Sequence, residues 1–328
     1  MSFEVPVGQG PRMLAYDPTH HYVFVSNYGD NTVSVIKGDE SQVYTTIRDP
    51  SFNFPFAVAF NPSNDCVYVT NPGIYPEGGN TVTVIATPDV TPKVIATIKV
   101  GSGPHGIAYN ENNRNMYVVN YISATVSVIE SSTNTVTGEV NLGYLPYYIA
   151  YNPLNSMMYV PNFLSGMPPC PTPSTCLESP TLDVIEGDLL VKRIPIDRLS
   201  NNIAFNPKNK MMYVITNQDY YFPSETGRIL LIDADPSSPT YQQVVNTIES
   251  NEFGRSMQGI AYNPSTKSIY VTIDANINYG KVAEIDIENN ITQIIPVGNG
   301  PWGVGWAHDG ILYVANQLSN NVSRLELS

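Results

Sequence analysis

Hydrophobic residues along the chain occur in short runs that alternate with polar positions and are separated by turn-forming residues. One run recurs seven times, and each copy ends with a small residue followed by an aromatic one. The small residues are Ala15, Ala59, Ala108, Ala150, Ala204, Ala261 and Gly305. Successive copies lie 42 to 57 residues apart, a period typical of proteins in which each repeat is one small structural unit.

Three more runs follow each copy of the first. The second run has an aromatic residue at its centre in every repeat, namely Phe24, Tyr68, Tyr117, Tyr159, Tyr213, Tyr270 and Tyr313. The third run alternates, as in Val33–Ile36, and the fourth is weaker, as in Val94–Ile98. Short β-branched runs bounded by Asn-Pro, Asp-Pro and Gly turns predict strands. Seven repeats of four antiparallel strands predict an all-β protein, a seven-bladed β-propeller that forms a single domain over residues 1–328.

The two ends of the sequence complement each other. The last repeat stops after its third run, Asn321–Leu325, and the missing fourth run occurs at Phe3–Val5. The segment Val7–Pro11 then matches Val100–Pro104 and Val297–Pro301, which lead into first runs. We therefore expect the N-terminal strand to complete the last blade and to close the ring.

The repeated small and aromatic positions have a packing explanation. We expect each Ala or Gly to lie near the central axis, where neighbouring sheets crowd. The aromatic position lies further out, where a large ring buries more area.

The charge composition narrows the classes of partner. Charged residues make up only 14% of the chain, and the net charge is -13. The 16 Lys and Arg residues form no run, so the pattern argues against binding to nucleic acid or to an anionic membrane surface.

The sequence also bears on location. No apolar stretch approaches about 18 residues, so we expect no membrane-spanning helix. The start of the sequence has no charged and then apolar signal segment. We therefore expect either a cytoplasmic protein or a secreted one whose signal lies outside this sequence.

Three second runs carry a family resemblance. The segments Tyr117–Asn120, Val67–Asn71 and Tyr313–Asn316 resemble the YVTN-type β-propeller repeat of archaeal surface-layer proteins and bacterial periplasmic propellers. The resemblance covers essentially the whole chain. It implies an extracellular or periplasmic binding scaffold with no shared catalytic set. Blades five and six lack the final Asn, at Thr216 and Ile273, and their next turns are expected to differ.

The repeated Asn itself is interpreted as structural. Asn27, Asn71, Asn120, Asn162 and Asn316 each end a second strand, where an amide can bond nearby backbone.

A candidate ligand site is formed by positions that differ between repeats. Seven residues open the first strands and should gather around one mouth of the central channel. They are Arg12, Phe56, His105, Tyr147, Asn201, Gln258 and Trp302. Aromatic faces, hydrogen-bonding groups and one cation suit a small polar ligand or a loop of a partner. A solvated rim without a ligand is the alternative.

Long loops between the second and third strands should lie on the same face as this mouth. The longest belong to blades two, four and five, and the blade-five loop carries Asp219–Pro223. Loops on a rigid scaffold commonly carry recognition, so we expect contact with a protein or glycan partner. Packing of these loops onto neighbouring blades is the alternative.

Cys170 and Cys176 lie in the proline-rich blade-four loop. A disulfide between them would stiffen this loop in an oxidising compartment, and two free thiols are the alternative. Cys66 lies in a strand and is expected to be a small buried side chain. No metal and no cofactor are expected, although His20, His21 and His308 in turns of adjacent blades leave a weak surface metal site open.

Three functions follow from these features. The leading hypothesis is an extracellular or cell-surface binding module that recognises a protein, a glycan or a small polar ligand on its loop-rich face. An enzyme of the lyase or lactonase type at the channel mouth is the second. It would use His105 as an acid–base group beside Glu77 or Asp219. A structural subunit of a surface layer is the third.

Overall fold

The computed structural model describes residues 2–38, 42–88, 91–143, 145–162, 180–196, 200–217, 226–254, 256–274, 280–307 and 310–327. Over these residues the chain forms twenty-eight strands in seven four-stranded antiparallel sheets. The only helical element in these ranges is a single 3₁₀ turn at Asn251–Phe253. Among the described residues, no helix has the length and apolar content needed to cross a bilayer.

Six blades are meanders of consecutive strands, and they follow β1 (Ser2–Pro6). Blade one contains β2 (Pro11–Asp17), β3 (Tyr22–Asn27), β4 (Thr32–Lys37) and β5 (Val43–Arg48). Blade two contains β6 (Val58–Asn61), β7 (Cys66–Asn71), β8 (Thr81–Ala86) and β9 (Lys93–Lys99). Blade three contains β10 (Pro104–Asn110), β11 (Asn115–Asn120), β12 (Thr125–Glu130) and β13 (Thr135–Asn141).

The remaining blades repeat this order of strands. Blade four contains β14 (Ala150–Asn152), β15 (Met157–Pro161), β16 (Thr181–Glu186) and β17 (Leu189–Pro195). Blade five contains β18 (Ser200–Asn206), β19 (Met211–Thr216), β20 (Arg228–Asp233) and β21 (Val244–Glu249). Blade six contains β22 (Met257–Asn263), β23 (Ser268–Asp274), β24 (Gly280–Ile285) and β25 (Ile291–Val297). Blade seven contains β26 (Pro301–Trp306), β27 (Ile311–Asn316) and β28 (Asn321–Glu326), and its fourth strand is β1.

The predicted closure of the ring is confirmed by the pairing of β1 with β28. Phe3 lies opposite Arg324, and Val5 lies opposite Val322. The Ser323 hydroxyl donates a 2.7 Å hydrogen bond to the Glu4 carboxylate. Val5 is fully buried and packs in the hydrophobic cluster shared by blades seven and one. The two ends of the chain are therefore held in one sheet.

The predicted packing of the repeated positions is also confirmed. All seven central aromatic residues of the second strands have no solvent exposure. Ala15 of blade one packs into the cluster formed with blade two. At Gly305 a Cβ atom would lie only 2.6 Å from Cδ1 of Leu14 in the next blade. Small residues are thus required where the inner strands approach each other.

The buried tyrosines also join neighbouring blades through their hydroxyl groups. Tyr213 Oη accepts from Asn209 Nδ2 at 2.6 Å and donates to Asn289 Oδ1 of blade six at 2.5 Å. The same tie to the next blade is made by Tyr68 to Asn134, by Tyr117 to Gly187 and by Tyr313 to Gly38. A hydroxyl buried in the core is therefore satisfied by the blade against which the ring packs.

The repeated Asn is structural, as interpreted from the sequence, but its partners differ from those expected. Asn27 Nδ2 donates to Thr32 Oγ1 and to Ser34 Oγ, each at 2.9 Å. Asn120 makes the same pair of bonds to Thr125 and Ser127. The amide therefore joins the second strand to hydroxyl groups on the third strand, and backbone groups are not its main acceptors. The turns predicted to differ in blades five and six lie largely outside the described residues.

We expect Val5→Ala to lower the free energy of unfolding by about 2 kcal/mol, because it removes buried methyl groups from the closing strand. Urea titration of Val5→Ala and of the control Val244→Ala, whose side chain is 39% exposed on an outer strand, checks this. Equal losses in the two variants would mean that closure by β1 adds no stability.

We expect Tyr213→Phe to cost about 1–3 kcal/mol, because the amides of Asn209 and Asn289 each lose a buried partner. The matched control is Tyr75→Phe, since that ring is 75% exposed. Thermal unfolding of both variants measures the difference. A neutral effect of Tyr213→Phe would show that the hydroxyl tie does not hold adjacent blades together.

Candidate functional site

The channel mouth on the loop-bearing face is shaped by irregular pairing at the start of the inner strands. The register of β2 shifts between Pro11 and Leu14, and that of β10 shifts between Pro104 and Ile107. The same shift occurs in β26 between Pro301 and Val304. A bulge takes a residue out of the ladder and redirects its side chain. Arg12, His105 and Trp302 occupy these irregular positions.

Five of the seven predicted mouth residues meet across the ring. The ring centroid of Phe56 lies 4.8 Å from that of His105, 6.1 Å from Tyr147 and 6.3 Å from Trp302. The His105 and Tyr147 rings are also 4.8 Å apart. Because these residues come from blades two, three, four and seven, their contacts span the axis. The mouth is therefore a shared aromatic cluster.

Asn201 and Gln258 do not join this cluster through any of the described ring or hydrogen-bond contacts. Asn201 Nδ2 donates to the Met257 carbonyl at 3.1 Å and lies 3.4 Å from Gln258 Oε1. Gln258 Nε2 donates to Ser256 Oγ at 2.7 Å. The two amides thus form a polar link between blades five and six.

Three further aromatic residues belong to the mouth and were missed from the sequence. Tyr28 and Tyr121 follow the Asn that ends a second strand, and they contact Arg12 and His105 respectively. Tyr148 is buried, and its hydroxyl accepts a 3.3 Å hydrogen bond from Trp302 Nε1. The sequence held a signal for them, because each follows a residue at a repeated position, namely Asn27, Asn120 and Tyr147.

Hydroxyl groups on second strands fix the backbone of the mouth. Thr70 Oγ1 accepts from the Ala57 amide at 2.9 Å and donates to the His105 carbonyl at 2.8 Å. Similar bonds reach the Phe56 carbonyl from Ser26 and the Trp302 carbonyl from Thr272. Each hydroxyl therefore links an inner strand of its own blade to a mouth residue of the next blade.

Arg12 is a cation enclosed by aromatic rings. Its guanidinium carbon lies 3.8 Å from the ring centroid of Trp302, 4.8 Å from Tyr28 and 5.9 Å from Phe56. Burial lowers the pKa of Arg12 from its ordinary value. Among the described residues no carboxylate pairs with it, and its buried Nε has no hydrogen-bond acceptor. Cation–π attraction to the three rings offsets part of the cost of burying the charge.

His105 is held as a neutral side chain. Its Nδ1 donates to the Gly103 carbonyl at 2.9 Å, since a carbonyl oxygen can only accept. Burial, with a smaller contribution from the positive charge of Arg12, lowers the pKa of His105 to about 4, although the hydrogen bond to Gly103 opposes the change. No carboxylate in the described ranges contributes to the lowered pKa of His105. Glu77 is exposed in the blade-two loop, and Asp219 lies outside the described residues.

Several other predicted features have a defined place. Cys66 is buried and has a free thiol, whereas Cys170 and Cys176 lie outside the described residues. His20 Nδ1 pairs with Asp17 at 2.8 Å, His21 Nδ1 bonds Tyr16 Oη at 2.7 Å, and His308 lies outside the described residues. Within the described ranges, no group of three His, Cys, Asp or Glu side chains is placed to hold a metal ion.

A surface cleft lies away from the mouth, at the opposite end of the inner strands of blades seven, one and two. This cleft of about 370 Å³ is lined by aromatic and proline side chains, among them Tyr16, Phe60 and Trp306. It was not foreseen from the sequence. It is apolar and shallow, and its walls include no charged side chain.

Comparison with known proteins supports the fold. A chain of the hydrazine synthase of Kuenenia stuttgartiensis superposes with a TM-score of 0.78 at 19% sequence identity, over 97% of this chain and 96% of that one. At this identity the likeness shows the seven-bladed architecture alone. No family model matches the chain, so the YVTN resemblance stays a prediction.

One curated protein shares a short stretch of sequence. The PE-PGRS family protein PE_PGRS18 of Mycobacterium tuberculosis (strain ATCC 25618 / H37Rv) is 47% identical over 64 residues, which is 20% of this chain and 12% of that protein. A match of this extent corresponds to little more than one repeat.

The low pKa of His105 gives a pH prediction. Because the unfolded chain binds a proton near pH 6.5 and the native mouth binds it only near pH 4, stability should fall as the pH is lowered between these values. We expect the NMR signal of His105 to titrate near pH 4. His105→Gln assigns the signal and should remove this part of the pH dependence. A midpoint near 6.5 would mean that the mouth is open to water.

Proposed function

We propose that this protein is a binding module that recognises its partner through the loop-bearing face, with the aromatic mouth at the centre of the contact. The observation that carries the proposal is Arg12, a caged cation for which the described chain supplies no counter-ion and no acceptor. Arg, Tyr and Trp side chains in enclosed, well-packed positions are the residues that dominate the energy of recognition sites. A partner that supplies an acceptor would relieve the cost of that buried charge.

Apolar side chains around the mouth provide the rest of the proposed contact. Ile74 and Tyr75 in the blade-two loop are 57% and 75% exposed, and Leu318 in the blade-seven loop is 54% exposed. All three lie on loops between second and third strands, which leave the same face as the mouth. Exposed apolar residues grouped around a polar centre are typical of interaction surfaces. We place this function outside the cell or at its surface, as the YVTN resemblance implies.

The acid–base alternative gains no comparable support. His105 is neutral, buried among rings and bonded to a backbone carbonyl. The described residues give it no carboxylate with which to share a proton. The geometry therefore favours binding over proton transfer.

A thermal-shift screen with small organic acids, phosphate, sugars and short peptides tests the proposal. A ligand present at tenfold its Kd should stabilise the native chain by about 1.4 kcal/mol. We expect Arg12→Met, or Ile74→Ser combined with Tyr75→Ser, to weaken the response to the active probe. Arg114→Met is the matched control, because Arg114 is an exposed arginine in a turn at the opposite face. A response that survives all three changes equally would place binding elsewhere and contradict the proposal.

A further inference from the structure

Among the described residues of the mouth, Arg12 is the only charged side chain. Of the seven residues that open the inner strands, Arg12 alone is charged. In the described part of the chain, the groups that interact with its charge are neutral, namely Tyr28, Tyr147, Tyr148 and His105. The chain as a whole has a net charge of -13. A dianion would find only one positive charge at the mouth and would be repelled by the negative charge of the protein. The single charge of a monoanion would be balanced by that of Arg12.

The geometry of Arg12 adds a preference of shape. A guanidinium is planar and offers its N–H groups in a fixed fork, which fits a carboxylate through two parallel hydrogen bonds. The guanidinium carbon lies 3.8 Å from the Trp302 ring centroid, so the indole occupies one side of Arg12 and a carboxylate would approach from another side. The side chain is partly exposed as a whole, while its Nε is enclosed without an acceptor.

The surroundings of the guanidinium are aromatic. The ring of Tyr28 packs edge-on against that of Phe54, with centroids 5.0 Å apart. The ring of Phe56 meets that of Trp302 edge to face, with centroids 6.3 Å apart. Such walls favour a ligand whose anionic head is attached to a flat or apolar body. The hydroxyl groups of Ser26, Thr70 and Thr272 fix the backbone at Phe56, His105 and Trp302, respectively. The aromatic surroundings of Arg12 are therefore formed before any ligand arrives.

We propose that the mouth is a receptor for a planar monocarboxylate, which binds edge-on to Arg12 and lies against the aromatic walls. This inference rests on the proposed binding function and specifies its ligand chemistry. The carboxylate could belong to a free organic acid or to the C-terminus or an acidic side chain of a partner peptide. Both sources present the same head group to Arg12.

Trp302 serves as the reporter, because the chain has two tryptophans and the other, Trp306, lies at the far end of the inner strand. In a Trp306→Phe background, benzoate and acetate should change the Trp302 fluorescence saturably, with benzoate the tighter of the two. Benzamide should bind at least about tenfold more weakly than benzoate, since it lacks the charge that the guanidinium pairs with. This comparison uses one protein and is independent of the folding of any Arg12 variant.

Variants then assign the effect to the guanidinium. Arg12→Lys keeps the charge but not the fork and should weaken benzoate about tenfold, and Arg12→Met should abolish the fluorescence change. Arg114→Met should leave it unaltered. Far-ultraviolet circular dichroism confirms that each variant is folded. A peptide with a free C-terminus, its amidated form, and the amidated form with an internal Glu distinguish the two peptide sources from a free acid.

Three results would overturn the inference. Equal binding of benzoate and benzamide, equal binding of benzoate to the Arg12→Met variant, or tighter binding of phosphate or sulfate than of benzoate would each exclude a carboxylate receptor. The binding function would remain if another probe of the thermal-shift screen still depended on Arg12. It would fail separately if no probe depended on Arg12 or on the blade-two loop.

Discussion

The structure depends on contact between neighbouring sheets, because a four-stranded sheet is too small to bury its own hydrophobic faces. The seven central aromatic rings have no exposure. Each ring packs in a hydrophobic cluster with residues of the next blade. Tyr213 shows why tyrosine suits this position, since the ring supplies buried area and the hydroxyl bonds Asn289 across the contact. The closing strand β1 gives blade seven a full sheet, so that the last contact in the circle resembles the others.

The regular part of the molecule was predictable from sequence because it is repeated. Seven copies of one pattern identify the strands, and the unequal ends predict the pairing of β1 with β28. The same alignment brought Arg12, Phe56, His105, Tyr147 and Trp302 to one mouth, since equivalent positions in a closed ring must lie at equal heights along the axis. The alignment could predict that these side chains lie near one another, but not which of them contact each other.

The remaining features depend on side-chain geometry that repeats do not encode. Asn201 and Gln258 bond each other away from the aromatic cluster, although their positions are equivalent to that of Arg12. The partners of Asn27 proved to be hydroxyl groups on the third strand, because Asn27 is paired with Thr32 in the sheet and Ser34 lies two residues further along the same face. Tyr148 was overlooked because it follows Tyr147 in a blade whose inner strand begins late, at Ala150.

The cation–π contact between Arg12 and Trp302 has a mechanical consequence. Arg12 belongs to the first blade and Trp302 to the seventh, so the pair lies at the contact between the two blades that the chain connects from β1 to β2. Any movement that separates these two blades must break this cation–π contact. A ligand that binds Arg12 and Trp302 together also stabilises the contact between these two blades. By thermodynamic reciprocity, a more stable contact between the blades binds the ligand more tightly.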